Sequence, residues 1–227
     1  MRGTLLAAGL LALAPALARG ERIERSEPAM GTLARIAVEA QDERAATAAI
    51  TAGFARIREI ERRLSDYDEQ SEARRLERAP RGVPVPVSTG LYRVLQHALT
   101  LSLRTQGAFD VTIGAATRAW RAGQPATPVP RYREVALGQG TVTLAGEGIA
   151  FDFGGIAKGY AADEALRVLK QRGFPRAMAA LSGDIAVGAP PAGARGWRIG
   201  LGSAAPVEEL ANCGISTSGD SRQARRG

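Results

Sequence analysis

The densest chemistry in the sequence is FDFGGIAKGYAAD at 151–163, which reads as a strand, a glycine-rich turn and a helix. Gly154 and Gly155 let backbone come close to a ligand, and the helix start behind them offers unpaired N–H groups and a positive dipole end to an anion. Lys158 falls in the first helical turn, where a cation is locally unfavourable by ~0.3–1 kcal/mol. A bound diphosphate would reverse that penalty. The same glycines would equally serve close packing of a strand on a helix, so the segment alone leaves both readings open. A Walker loop is excluded because the order is Ala157-Lys158-Gly159, and Asp152-Phe153-Gly154 lacks the companion motifs of a kinase.

Asp110, in QGAFDVTIG, stands where a helix gives way to an extended stretch, at an element end where binding groups collect. An aspartate in that setting also commonly closes its own turn. Tyr67, in the polar turn LSDYD, has the amphipathic build of either a ligand contact or a packing residue. The single histidine, His97, is expected at the core or its boundary, and the single cysteine, Cys213, as a small buried apolar side chain. One of each excludes an internal disulfide and a histidine-rich metal cage, so any metal must be held by oxygen.

These groups must be positioned by a mixed set of elements. Alternation of Ala34, Ile36 and Val38 with Arg35 and Glu39 predicts a half-buried strand over 30–40, after a charged lead over 19–27. Ile50, Phe54, Ile57 and Leu64 predict an amphipathic helix behind the N-cap Asp42, followed by a polar turn and a short helix over 71–76. Ser88 caps a second helix that buries Leu91, Val94, Leu95, Ala98, Leu99 and Leu101 and stops at Gly107. A proline-rich loop over 121–133 precedes short strands at 135–137, 141–144 and 149–153. A helix over 156–171, closed by Gly173, leads into strands near 178–181, 185–187 and 197–201. Helices interspersed with antiparallel hairpins in this order imply an α+β fold with a mixed, largely antiparallel sheet.

A hydrophobic share of 45% over 227 residues supports one globular unit, or two small lobes with a shared core, and excludes a disordered chain. The net charge of +7 rests on arginine, since Lys158 and Lys170 are the only lysines. These arginines are interleaved with acids, as at Glu59 and Glu61, so they predict a solvated basic surface rather than a nucleic-acid face. Arg2, the uncharged apolar stretch over 5–17 and the small-x-small pattern Ala16-Leu17-Ala18 read as a signal peptide. Gly9 and Pro15 interrupt that stretch, which is shorter than the ~20 residues a spanning helix needs. The expectation is a signal peptide over 1–18 and a mature domain over 19–227, exported to a periplasm-like compartment without a stable membrane anchor.

Taken together, MGT at 30–32, LSDYDEQSEARRL at 64–76, GAFDVTIG at 107–114, DFGGIAKGYAAD at 152–163, LSGD at 181–184 and GISTSGD at 214–220 resemble, in order and spacing, the FAD:protein FMN transferases, or ApbE-type proteins. That resemblance implies cleavage of FAD, attachment of FMN through a phosphoester to a threonine of an exported acceptor protein, release of AMP, and a need for Mg²⁺. It further implies that Met30, Tyr67, Ala108, Phe109, Asp110, Asp152 and Lys158 contact FAD, and that the Gly155 carbonyl ligates the metal. Phosphoryl transfer needs positioning and charge neutralisation more than covalent chemistry, which agrees with a glycine turn, a helix start and a lysine. The pattern departs from the family at Val111, where proline is usual, and after Asp220, where relatives continue with a histidine, an Asp-Pro-x-Thr-Gly motif and an Asp and Thr pair of the metal site. The expectation from that departure is a truncated product with slow transfer, or a noncatalytic FAD-binding remnant; an exported polyanion-binding module is the alternative that charge alone allows.

Overall fold

In a computed structural model the described residues are 20–200 and 206–217, so the expected signal peptide and the end of the GISTSGD motif lie outside them. The main sheet has five antiparallel strands in the order β1-β2-β6-β7-β10: β1 (Glu21–Ala29), β2 (Thr32–Ala40), β6 (Ala177–Leu181), β7 (Asp184–Val187) and β10 (Cys213–Ser216). One face is covered by α1 (Glu43–Leu64) and α5 (Ala157–Gln171), which pack on each other and on the strands. The ladders of β3 (Val85–Pro86), β5 (Thr141–Leu144) and β4 (Val135–Leu137) form a smaller sheet, and β8 (Trp197–Gly200) pairs with β9 (Val207–Leu210). Helices α2 (Glu72–Glu77), α3 (Thr89–Arg104) and α4 (Gly114–Arg121) complete the expected α+β fold.

Local signals place most helices. Asp42 accepts the Ala45 N–H and caps α1, which buries Ile50, Phe54, Ile57, Ile60 and Leu64. Ser71 caps α2 through the Arg74 N–H, and Ser88 caps α3 through Leu91. Glu72, in the first turn of α2, accepts hydrogen bonds from both the backbone and the hydroxyl of Ser88, tying the two caps together. The principal core runs between α1, α5 and β2, while Ala37, Met178, Val187, Trp197 and Ile199 fill the opposite side of the sheet.

Several expectations need correction. The charged lead over 19–27 is largely β1, a sheet-edge strand that buries Ile23 and Ala29 and leaves its charged residues wet, which hides the strand pattern. Residues 149–153, buried except for the half-buried Asp152, form no ladder; a single bridge joins Ala150 to Ile113. The stretch after Asp110 turns into α4 instead of staying extended, because Gly114 approaches the neighbouring backbone: its N–H donates to Ala150 O at 2.8 Å, and a Cβ there would lie 2.3 Å from Phe151 O. Arg121 therefore ends a helix and does not open a loop. Leu101 is on the outer side of α3, 37% exposed. Cys213 is exposed on the outermost strand β10, and His97 is exposed, its ring 6.3 Å from that of Tyr160.

Two buried carboxylates join elements distant in sequence. Glu164 of α5 accepts Arg56 Nε from α1 at 2.9 Å and Arg167 Nε and Nη2 at 2.9 Å. Glu77, at the end of α2, accepts the Phe151 N–H at 2.7 Å and pairs with Arg74 and with Arg118 of α4. Burial alone would raise the Glu164 carboxyl, but hydrogen bonds from Arg167 and Arg56 hold it down at about 2, against an ordinary value of 4.5. A depressed folded value means that the stabilisation is complete above pH 4.5 and is lost as pH falls toward 2. Glu164→Gln is expected to cost about 2 kcal/mol at neutral pH, measured by urea unfolding. The gap between wild type and variant should narrow below pH 4.5; a gap that stays constant down to pH 2 would contradict the pairing.

Candidate functional site

An open cavity of about 940 Å³ lies where the β1–β2 turn, the end of α1, the end of α4 and the start of α5 meet. Its walls include Met30 and Gly31, Glu61 and Ser65, Asp66 and Tyr67, Trp120 and Arg121, and the turn carrying Asp152, Gly154, Gly155 and Lys158. Its size suits a nucleotide-sized or larger ligand. Met30, Tyr67, Asp152, Gly155 and Lys158 are thus brought together from three separate parts of the sequence.

The β1–β2 connection is a two-residue hairpin turn with φ of 51° at Met30 and 70° at Gly31, the left-handed values of a type I′ turn. Glycine takes this conformation freely, whereas Met30 is strained in it. The Met30 N–H donates to Glu61 Oε1 at 2.7 Å, and this bond from the last turns of α1 holds the turn over the cavity.

On the opposite wall, residues 151–153 approach as extended but unladdered chain, and Asp152 Oδ1 accepts the Gly154 N–H at 2.7 Å to fold the glycine turn. The helix start is only partly open to an anion, since the Ile156 and Ala157 N–H groups both donate to Phe153 O, at 2.9 and 2.7 Å. Lys158 Nζ donates to Gly154 O at 3.3 Å and lies 3.9 Å from Asp184 Oδ2. Asp184 is the aspartate of the LSGD motif. Its other oxygen accepts the Ser216 hydroxyl at 2.7 Å, so the LSGD turn and the GIST segment meet behind the lysine.

Ala108, Phe109 and Asp110 do not border the cavity. Asp110 is buried, and both of its oxygens serve local structure: Oδ1 accepts the N–H and hydroxyl of Thr112, each at 2.7 Å, and Oδ2 accepts the Tyr132 N–H at 3.3 Å. Phe109 stands behind the glycine turn, 3.2 Å from where a Cβ on Gly155 would be. Its ring therefore leaves room for glycine only at that position unless it shifts. This segment supports the turn from behind.

Arg121, like Glu61, Asp66 and Trp120, is a cavity residue that the sequence did not single out. Its guanidinium lies 4.9 Å from the centre of the Tyr67 ring, forms an ion pair with Asp66, and stands 4.0 Å from Asp152 Oδ2. Nothing in the spacing distinguishes it among so many arginines. Tyr67 is 80% exposed and Trp120 52% exposed, so two large aromatic side chains that border one cavity keep part of their surface toward solvent. Among the described residues, no three histidine, cysteine, aspartate or glutamate side chains are grouped to hold a metal ion.

The turn geometry carries its own test. Met30→Gly should raise the unfolding free energy by ~1 kcal/mol by relieving the left-handed backbone, while Glu61→Ala should lower it by ~1 kcal/mol through loss of the turn's hydrogen bond. Both are read by urea denaturation, and a destabilised Met30→Gly would show that the side chain contributes more than the strain costs.

The same arrangement of elements is found in solved structures. The flavin transferase ApbE from Vibrio cholerae superposes with a TM-score of 0.78 at 24% identity, over 92% of this chain and 74% of that one. The ApbE protein from Thermotoga maritima superposes with a TM-score of 0.76 at 26% identity, over 88% and 71%. In sequence, the FAD:protein FMN transferase of Treponema pallidum is 29% identical over 237 residues, 89% of this chain, and this chain spans 66% of its length. The Vibrio cholerae FAD:protein FMN transferase is 29% identical over 245 residues, 98% of this chain and 73% of its own. The profile of the ApbE family matches residues 30–227, beginning at the strained methionine of the hairpin turn and running through the glycine turn and the LSGD segment. With fold, motif order and sequence profile in agreement over that range, the chain belongs to the ApbE family.

Proposed function

We propose that the chain binds FAD in this cavity and transfers its FMN part to a threonine hydroxyl of an exported acceptor protein, releasing AMP. The observation that carries the reading is the convergence of Met30, Tyr67, Asp152, Gly155 and Lys158 on one cavity large enough for a dinucleotide, in a chain of this family. In the reaction the threonine oxygen attacks the phosphorus on the flavin side of the diphosphate, the bridging P–O bond breaks toward AMP, and the hydroxyl proton passes to solvent or a nearby base. Lys158 neutralises charge at the diphosphate. The glycine turn allows close approach of backbone, while Met30, Tyr67 and Trp120 provide apolar and aromatic surface for a ring. Catalysis of this kind rests on orientation and electrostatics.

Magnesium belongs to the same proposal, with the Gly155 carbonyl as one ligand. Mg²⁺ takes about six oxygens and usually binds through one or two carboxylates, substrate phosphate and water, so the donors described here account for part of a shell at most. When bound it would supply charge neutralisation at the phosphates. We further propose that the apolar leader is removed after Ala18 and that the protein works in the periplasm; no helix among the described residues is long and apolar enough to cross a membrane. Mass spectrometry of the periplasmic fraction is expected to find Arg19 as the first residue, and intact Met1 there would contradict it.

Lys158→Ala should weaken FAD binding about 10- to 100-fold, the range for loss of a charge-assisted contact. Lys170→Ala, at the far end of the same helix, should be nearly silent. Equal affinities for the two variants would remove Lys158 from the site. Incubation with FAD, Mg²⁺ and an acceptor carrying the target threonine should yield in-gel flavin fluorescence on the acceptor. FAD binding without labelling would instead indicate a binding protein that does not transfer.

A further inference from the structure

Arg121 connects both walls of the cavity, and its contacts point in one direction. Its guanidinium pairs with Asp66, beside Tyr67 at the end of α1, and reaches toward Asp152 on the glycine turn. The same group lies over one face of the Tyr67 ring at 4.9 Å from its centre. The ring is nevertheless 80% exposed, so its remaining surface stays available to a ligand. A tyrosine this exposed would ordinarily sample several rotamers, and a guanidinium on one face, itself paired with Asp66 and near Asp152, favours the one that keeps this contact.

We propose that Arg121 is a positioning residue that holds Tyr67 as a stacking platform for one of the two ring systems of FAD. The proposal rests on the FAD-binding reading given above. The bound ring, the tyrosine and the guanidinium form three layers, and the electron-rich tyrosine face is polarised by the cation behind it. A lysine would keep the charge but not the flat, forked contact that covers a ring and reaches carboxylates on both sides.

The test is a set of binding titrations of FAD, FMN and AMP to wild type, Arg121→Ala, Arg121→Lys, Tyr67→Ala and the double variant Arg121→Ala/Tyr67→Ala, with thermal unfolding recorded for each. FMN and AMP separate the two rings while each keeps one phosphate. Arg121→Ala is expected to bind FAD about tenfold more weakly, and to lose affinity for only one of FMN and AMP, with little change in melting temperature. Arg121→Lys should recover less than half of that loss in logarithmic terms, and the double variant should bind no more weakly than Tyr67→Ala alone. Equal losses for FMN and AMP, full recovery by lysine, or additive effects of the two substitutions would overturn the proposal while leaving FAD binding intact. Wild-type protein that binds none of the three ligands would overturn both this inference and the function on which it rests.

Discussion

The cavity depends on one buried carboxylate. Glu77 accepts the backbone N–H of Phe151 and pairs with Arg118 of α4 and Arg74 of its own helix. Asp152 follows Phe151 directly, and Arg121 follows Arg118 by one turn of α4, so the wall with the glycine turn and the wall with the aromatic rim are anchored to the same side chain. A buried charge is tolerated only when its partners are complete, and losing one partner costs more than the intact arrangement contributes. That asymmetry opposes any movement of Phe151 away from Glu77, at the start of the 151–155 turn. For the FAD site proposed above, a turn set in advance favours affinity, because ordering it at the moment of binding would consume part of the binding free energy.

The electrostatic layout of the cavity follows from that anchoring. Both cations on its wall already interact with carboxylates, Arg121 with Asp66 and Asp152, and Lys158 with Asp184. An incoming anion would therefore not meet free positive charge; it would compete with protein carboxylates. Such competition weakens binding of a simple anion but keeps the cationic side chains in fixed positions, which favours a ligand that satisfies several groups at once. The hairpin turn at Met30 follows a similar logic, since strain in a left-handed methionine is accepted where Glu61 secures its N–H and the side chain is delivered to the cavity.

Beneath the site, α1 and α5 are joined by apolar packing and by the Arg56, Glu164 and Arg167 cluster. Helix α1 carries Glu61 and delivers Asp66 and Tyr67 just past its end, while α5 carries Lys158 in its first turn. Register between these two helices thus sets the distance from Tyr67 to Lys158. Glu164 fixes that register with directional hydrogen bonds, which apolar side chains alone would not do.

The sequence by itself determined the elements whose signals are local. Asp42, Ser71 and Ser88 mark helix starts because a cap bonds an N–H only three residues away, and the spacing of Ile50, Phe54, Ile57 and Leu64 defines a buried stripe without reference to anything distant. The resemblance assigned Met30, Tyr67, Asp152 and Lys158 as FAD contacts and Gly155 as a metal ligand, and in the fold these five residues line one cavity. Only the tertiary structure decided that Phe109 stands behind the glycine turn, that Asp110 is committed to Thr112 and Tyr132, that the charged segment Glu21–Ala29 is an edge strand, that Cys213 is exposed, and that Arg121 and Glu77 tie the walls to neighbouring elements. The reason is physical: caps and apolar periodicity act over one or two turns of chain, whereas the partner of a charge is chosen by which elements the fold brings within a few ångströms. In a chain with 30 basic and 23 acidic residues, composition leaves nearly every such pairing open.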